Sequence, residues 1–361
     1  MYPLCELGRL QRALSVLLMV WATASLQPAH AHACTEIALP DSPLEREWTF
    51  RAASPLSAAP AVTASGQAYV VTHEGYLHAL SASGGFLWSY TVDGALLSGP
   101  QADEQGRVYV VSTAGFVYGI QANGNPHWVF QSPVLPRTPL SYSPRKLVYF
   151  ASGSFLYAIS SGRGVLWRAL LPGPVLAGPV SDPEGRAWVI TDGGMLHVIG
   201  KPWARTQGLL PGADEYQILE TGEGGGLILA GLELVQVDAA GKPRWSFRGV
   251  RQAAAIGQGA VAVTDDQPER LLWLEEGEPV RAVSLAGLAS ASPRVVGRRV
   301  FVPGADGQLH VVSNGAVASC QVAHAPLFTP VHVAGRLWVA AGDGVLTTFS
   351  LRSQPAPRRS R

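Results

Sequence analysis

The chain has 361 residues, 47% hydrophobic and 15% charged, enough apolar surface for a sizeable core and too much for a disordered chain. Gly 40 and Pro 27 supply more turn chemistry than a helical bundle holds, and the glycines lack the every-third spacing of collagen. A formal net charge of +1 excludes a protein built to coat nucleic acid or an anionic membrane.

Residues 1–33 read as a secretory signal peptide. Arg9 and Arg12 form its basic start, residues 13–26 its apolar run, and small residues follow Pro28 at cleavage spacing, as Ala29-His30-Ala31 and Ala31-His32-Ala33. A retained N-terminal anchor is the rival reading, but the run is short for a membrane span. Removing the signal takes Arg9, Arg12 and Glu6 and leaves basic and acidic residues in balance.

Residues 34–45 then form a lead-in. Cys5 leaves with the signal, so Cys34 and Cys320 remain. An oxidising compartment favours pairing them. Residues 31–34 loosely resemble a lipobox, with His32 atypical, so lipidation of Cys34 stays open, as do free thiols.

From there the chain repeats about every 38 residues. A glycine opens an alternating apolar strand at Gly75, Gly115, Gly153, Gly194, Gly231, a degenerate Arg270, Gly307 and Gly344. Prolines keep the same beat at Pro60, Pro100, Pro139, Pro179, Pro293 and Pro330, with Tyr216 and Ala254 near the vacant places. Tryptophans follow at Trp88, Trp128, Trp167 and Trp245, and Trp203 and Cys320 fall near that place in copies four and seven. Between proline and glycine lies a strand with a central aromatic: Tyr69, Tyr109, Tyr149, Trp188, Phe301 or Trp338.

Each copy thus holds four short strands, in the first copy over residues 59–63, 67–72, 76–81 and 86–91. Asp192-Gly193, Asp306-Gly307 and Asp343-Gly344 suit tight turns. Eight such sheets predict an all-β, eight-bladed β-propeller of four-stranded antiparallel blades over residues 46–351. Copy eight lacks a tryptophan strand, and the segment around Trp48 supplies one, so the N-terminal strand is expected to complete the last blade and close the ring. Closure also carries Cys34 toward the blade that holds Cys320. Residues 352–361, with Arg352, Arg358, Arg359 and Arg361, read as a basic, solvated tail.

The pattern Gly75…Leu80…Gly84…Trp88 resembles the PQQ-like repeat of quinoprotein-type propellers. That resemblance implies one of two functions. One branch comprises dehydrogenases that carry PQQ with a calcium ion. The other is the non-enzymatic branch typified by the BamB lipoprotein of outer-membrane β-barrel assembly, exported and similar in length.

Residue chemistry favours the second branch. The dehydrogenases typically hold a vicinal disulfide over the cofactor, and here the two mature cysteines are far apart in sequence. His78, His197 and His310 share one repeat position, but in blades one, four and seven, where imidazoles cannot converge on one metal. Tyr118 and Tyr157 take that position elsewhere, which suggests a half-buried aromatic site. His324 and His332 flank Pro326 and Pro330. Residues 222–226 are glycine-rich without the lysine of a phosphate loop. Asp265-Asp266 and Glu275-Glu276 flank the sixth copy as solvated loops or a partner-facing edge.

The reading is therefore a non-catalytic, monomeric envelope scaffold, periplasmic or outer-membrane-associated, that binds proteins such as an outer-membrane assembly complex. It involves no nucleic acid, catalytic residue, metal or cofactor, and meets a membrane only through a lipid anchor or partner. The alternatives are a small quinoprotein using PQQ and calcium, or a ligand-binding propeller.

Overall fold

The computed structural model describes residues 36–37, 43–160, 164–201, 204–222 and 224–351. The expected signal, Cys34, Trp203 and the basic tail lie outside them. The described chain forms an eight-bladed β-propeller, seven blades being four-stranded antiparallel sheets in simple sequence order and the eighth a sheet that N-terminal strands complete. Blade 1 runs Ala61–Val62, Ala68–Val71, Tyr76–Leu80 and Phe86–Thr91, close to the expected spans. The first strands of successive blades touch in a closed circle, with blade 1 meeting blade 8.

Burial explains the strand sequences. Second strands such as Val108–Val111 are buried along their whole length, because neighbouring blades cover both faces, and they read as unbroken apolar runs. Fourth strands such as Phe86–Thr91 alternate exposed and half-buried residues, as an edge wetted on one side should. Apolar clusters bridge every pair of neighbouring blades. One joins Tyr69, Val71 and Leu77 to Val108 and Ile120. Another joins Trp338 and Leu346 of blade 8 to Ala68 and Leu80 of blade 1.

Register shows why the aromatic beat exists. Tyr69, Ala79 and Trp88 lie side by side across blade 1, and Tyr149, Ala158 and Trp167 repeat the row in blade 3. The small middle residue leaves room for the indole. A Cβ on Gly119 of blade 2 would stand 2.5 Å from Trp128. Each row then reaches the next blade. Trp88 Nε1 donates to the carbonyl of Ala122 at 2.8 Å, and the Tyr149 hydroxyl donates to the carbonyl of Gly185 at 2.8 Å.

The first–second turns of blades 2 and 4 carry a device that composition did not suggest. Asp103 is buried and accepts from the Arg107 backbone N–H at 2.9 Å, Arg107 Nε at 2.7 Å and the Tyr109 hydroxyl at 2.8 Å. Asp182 does the same for Arg186, whose Nε donates at 2.6 Å, and for Trp188 Nε1 at 2.9 Å. Each carboxylate fixes its own turn and the ring that faces the next blade.

Leu44–Arg51 pairs with Val345–Leu351 and completes blade 8, as expected. Glu36–Ile37 then adds a fifth strand outside it, which sequence periodicity had not indicated. One assignment needs correction. Cys320 pairs with Leu309, and Ala318, opposite Val311, occupies the place where other blades carry tryptophan. The cysteine stands two residues past it, on the same side of the strand.

Candidate interaction face

Antiparallel order divides the ring ends into two faces. One holds the first–second and third–fourth turns. The other holds the second–third turns and the connections between blades, and is the loop face below.

The histidines of blades 1, 4 and 7 do not converge. Each is held within its own blade. His197 is fully buried between Thr191 Oγ1 at 3.0 Å and Gln207 Nε2 at 3.1 Å. His310 is also fully buried, with Nδ1 2.8 Å from Ser319 Oγ. His78 stacks on Tyr76 at 6.0 Å between ring centroids. The shared position is thus deeper than the expected half-buried site in two of three blades. Burial holds the His78 and His310 imidazoles below their ordinary value, and Asp306 partly offsets this for His310. Tyr118 takes the same position and donates to Asp93 Oδ2 at 3.4 Å.

The remaining candidates also separate. His324 is exposed, with its N–H on Asp343 Oδ2 at 3.1 Å. His332 lies on the first strand of blade 8, its basicity lowered by burial and by Arg294. Asp265-Asp266 sits on the loop face, where Arg251 Nε donates to Asp265 at 2.8 Å. Glu275-Glu276 lies on the opposite face, so the two acidic pairs form no common edge. The glycine run from Gly222 is a hairpin turn of blade 5, bordering an open cleft of about 260 Å³ shared with Gly257–Gly259.

Among the described residues no three His, Cys, Asp or Glu side chains are placed to hold a metal ion. The carboxylates of Asp103 and Asp182 are committed to arginine, backbone and ring donors within their own blades.

What the loop face does present is an exposed apolar arc over blades 3 to 5. Val134 and Leu135, the latter 60% exposed, come from the connection into blade 3. Leu170, 63% exposed, ends blade 3 and Leu176 starts blade 4. Leu209, 64% exposed, ends blade 4, and Leu232 sits on the second–third turn of blade 5. Singly exposed leucines are ordinary; here six exposed aliphatic side chains stand at one ring end across neighbouring blades.

Hydroxyl groups hold the backbone of two of the loops that carry the arc. Ser152 Oγ donates to the Val134 carbonyl at 2.9 Å, and Ser132 Oγ donates to the same oxygen at 2.7 Å. The Tyr216 hydroxyl donates to the Pro211 carbonyl at 3.0 Å and accepts the Ala213 N–H at 2.9 Å. Val134 and Leu135 thus stand on a pinned loop, which lowers the ordering cost of binding there. Sequence reading missed this arc because its members come from separate segments.

Ring, repeat and face together define a class: an eight-bladed β-propeller of recurring four-stranded blades with exposed apolar side chains on its loop face. A family model described as "Outer membrane protein assembly factor BamB" matches residues 42–172, the closing strand of blade 8 and blades 1 to 3. Among solved structures the chain resembles BamB from Moraxella catarrhalis, with 15% identity over 87% of this chain and 95% of that one, at a TM-score of 0.46. It also resembles the computationally designed Ika8 protein, with 14% identity over 83% and 97%, at 0.67. Sqt1 from Saccharomyces cerevisiae shows 10% identity over 84% and 97%, also at 0.67. At these identities the likenesses to Ika8 and Sqt1 speak for the fold alone. No protein of curated function matches the chain in sequence. No helix among the described residues is long and apolar enough to cross a membrane.

Proposed function

We propose that this protein is a non-catalytic, exported scaffold of the cell envelope that binds another protein through its loop face, in the setting of outer-membrane protein assembly. The observation that carries the reading is the exposed apolar arc of Val134, Leu135, Leu170, Leu176, Leu209 and Leu232. A rigid ring end of this size suits the ~1,200–2,000 Å² of a stable protein interface. The match of residues 42–172 to a BamB family model supports the assembly setting, and the signal-like residues 1–33 support export.

On this reading the chain needs no cofactor and works as a monomer, with no nucleic acid involved. The test is partner capture from the native envelope by mild cross-linking, with the wild-type chain beside a variant carrying Leu135→Glu, Leu170→Glu and Leu209→Glu. The reading expects a partner that the wild type retains and the variant loses. Equal capture by both would remove the loop face from the account.

A further inference from the structure

The joint between blades 7 and 8 differs from the others. Where the fourth strand of a blade carries a tryptophan, as at Trp48, Trp88 and Trp245, the indole packs on a glycine of the next blade's third–fourth turn, while Arg281 meets Gly315 in the same way from blade 6. Blade 8 has no such turn, because its third strand ends at Leu351 and its fourth is the N-terminal Leu44–Arg51. Ala318 stands in the tryptophan's place at this joint.

Two residues further along, Cys320 is 2% exposed and disulfide-bonded. The sequence offers it Cys5 or Cys34 as partner. The fifth strand of blade 8 decides between them. Glu36 and Ile37 pair with Glu45 and Leu44, the strand touches Ala316–Gln321, and Ile37 shares an apolar cluster with Cys320. Cys34 precedes Glu36 by two residues, a reach of about 7 Å. Traced backwards, this strand points toward the loop face, where Cys320 lies near the end of its own strand.

We infer that Cys34 and Cys320 form a disulfide latch between blades 7 and 8, at a joint where Ala318 stands in the tryptophan's place. As the S–S bond forms, the two thiols together give up two protons and two electrons, and the disulfide of a protein oxidant takes them up, its own S–S bond breaking to a dithiol. A sulfur so bonded cannot also carry a thioether lipid, so the chain is not anchored through Cys34. The latch forms only where export delivers the chain to an oxidising compartment. This inference stands independently of which partner the loop face binds.

The test uses the full chain purified from the envelope. Free thiols are alkylated, the protein is digested without reduction, and the peptides are read by mass spectrometry. The expected product is one linked pair bearing Cys34 and Cys320 that separates on reduction. Stoichiometric alkylation of either cysteine, a diacylglyceryl group on Cys34, or a Cys5–Cys320 link would overturn the inference. Melting provides a second reading. Reductant should lower the wild-type Tm by about 5–10 °C, while Cys34→Ser and Cys320→Ser melt at that lower temperature with or without reductant. A wild-type Tm indifferent to reductant would contradict the latch.

Discussion

Trp48 Nε1 donates to the carbonyl of Ala82 at 3.1 Å, tying the N-terminal strand of the last blade to the third–fourth turn of the first. Arg336 Nη1 reaches the same oxygen at 3.2 Å, and Trp338 meets Trp48 edge-on at 5.3 Å. A Cβ on Gly84, whose φ is +84°, would stand 2.6 Å from the indole. The ring closes on the same clamp that joins blade 1 to blade 2.

Substitutions at this clamp should therefore be graded. Trp48→Phe keeps most of the ring but loses the hydrogen bond, and should cost about 1 kcal/mol. Trp48→Ala should cost about 3 kcal/mol. Gly84→Ala should cost at least ~1–2 kcal/mol for its left-handed backbone alone. Urea denaturation measures all three, and a neutral Trp48→Ala would mean that the closing strand contributes little.

The buried carboxylates give a sharper test of the turns. Asp182→Ala strips acceptors from Arg186 and Trp188 and should cost about 3 kcal/mol. Asp182→Asn keeps one acceptor oxygen and should cost less. Chemical denaturation separates the two, and equal losses would show that the charge pairing is unimportant.

Much of this was legible in the sequence, and the exceptions have physical reasons. Gly84 and Trp88 recur because one supplies the turn and the other grips it, so the repeat marks the blades directly. The Asp103…Arg107…Tyr109 and Asp182…Arg186…Trp188 spacing was also present, though only two copies carry it. Cys320 was placed two residues early because Ala318, the true occupant, has no distinctive side chain. Glu36–Ile37 is too short to show periodicity. The arc was hidden because a leucine near a strand end, such as Leu170 or Leu209, reads like any core leucine until the fold shows which way it points.

Acid should weaken the fold through its histidines. Burial holds His78, His310 and His332 below the ordinary imidazole value, so the unfolded chain binds protons that the folded chain refuses. Their contribution is full above the unfolded value of about 6.5 and is lost as pH falls from there through the lower folded values. The urea midpoint should fall between pH 7.5 and 5.5. His310→Gln should flatten that fall by up to one proton, about 1.4 kcal/mol per pH unit. An unchanged slope would show that His310 protonates freely.

Cofactor chemistry should be absent. Incubation with PQQ and calcium is expected to leave the protein without a stoichiometric chromophore and without dye-linked alcohol or glucose oxidation. A bound quinone with turnover would replace the scaffold reading by the quinoprotein one.

The most direct measurement is the cross-linked capture of partners from the native envelope, quantified by mass spectrometry against an unrelated exported propeller. The account predicts that the wild type retains an outer-membrane assembly complex and that Leu135→Glu, Leu170→Glu and Leu209→Glu together release it. The melting temperature should stay near the wild-type value, because these side chains are already exposed. Recovery of no protein partner, under conditions that hold known envelope complexes together, would contradict the claim.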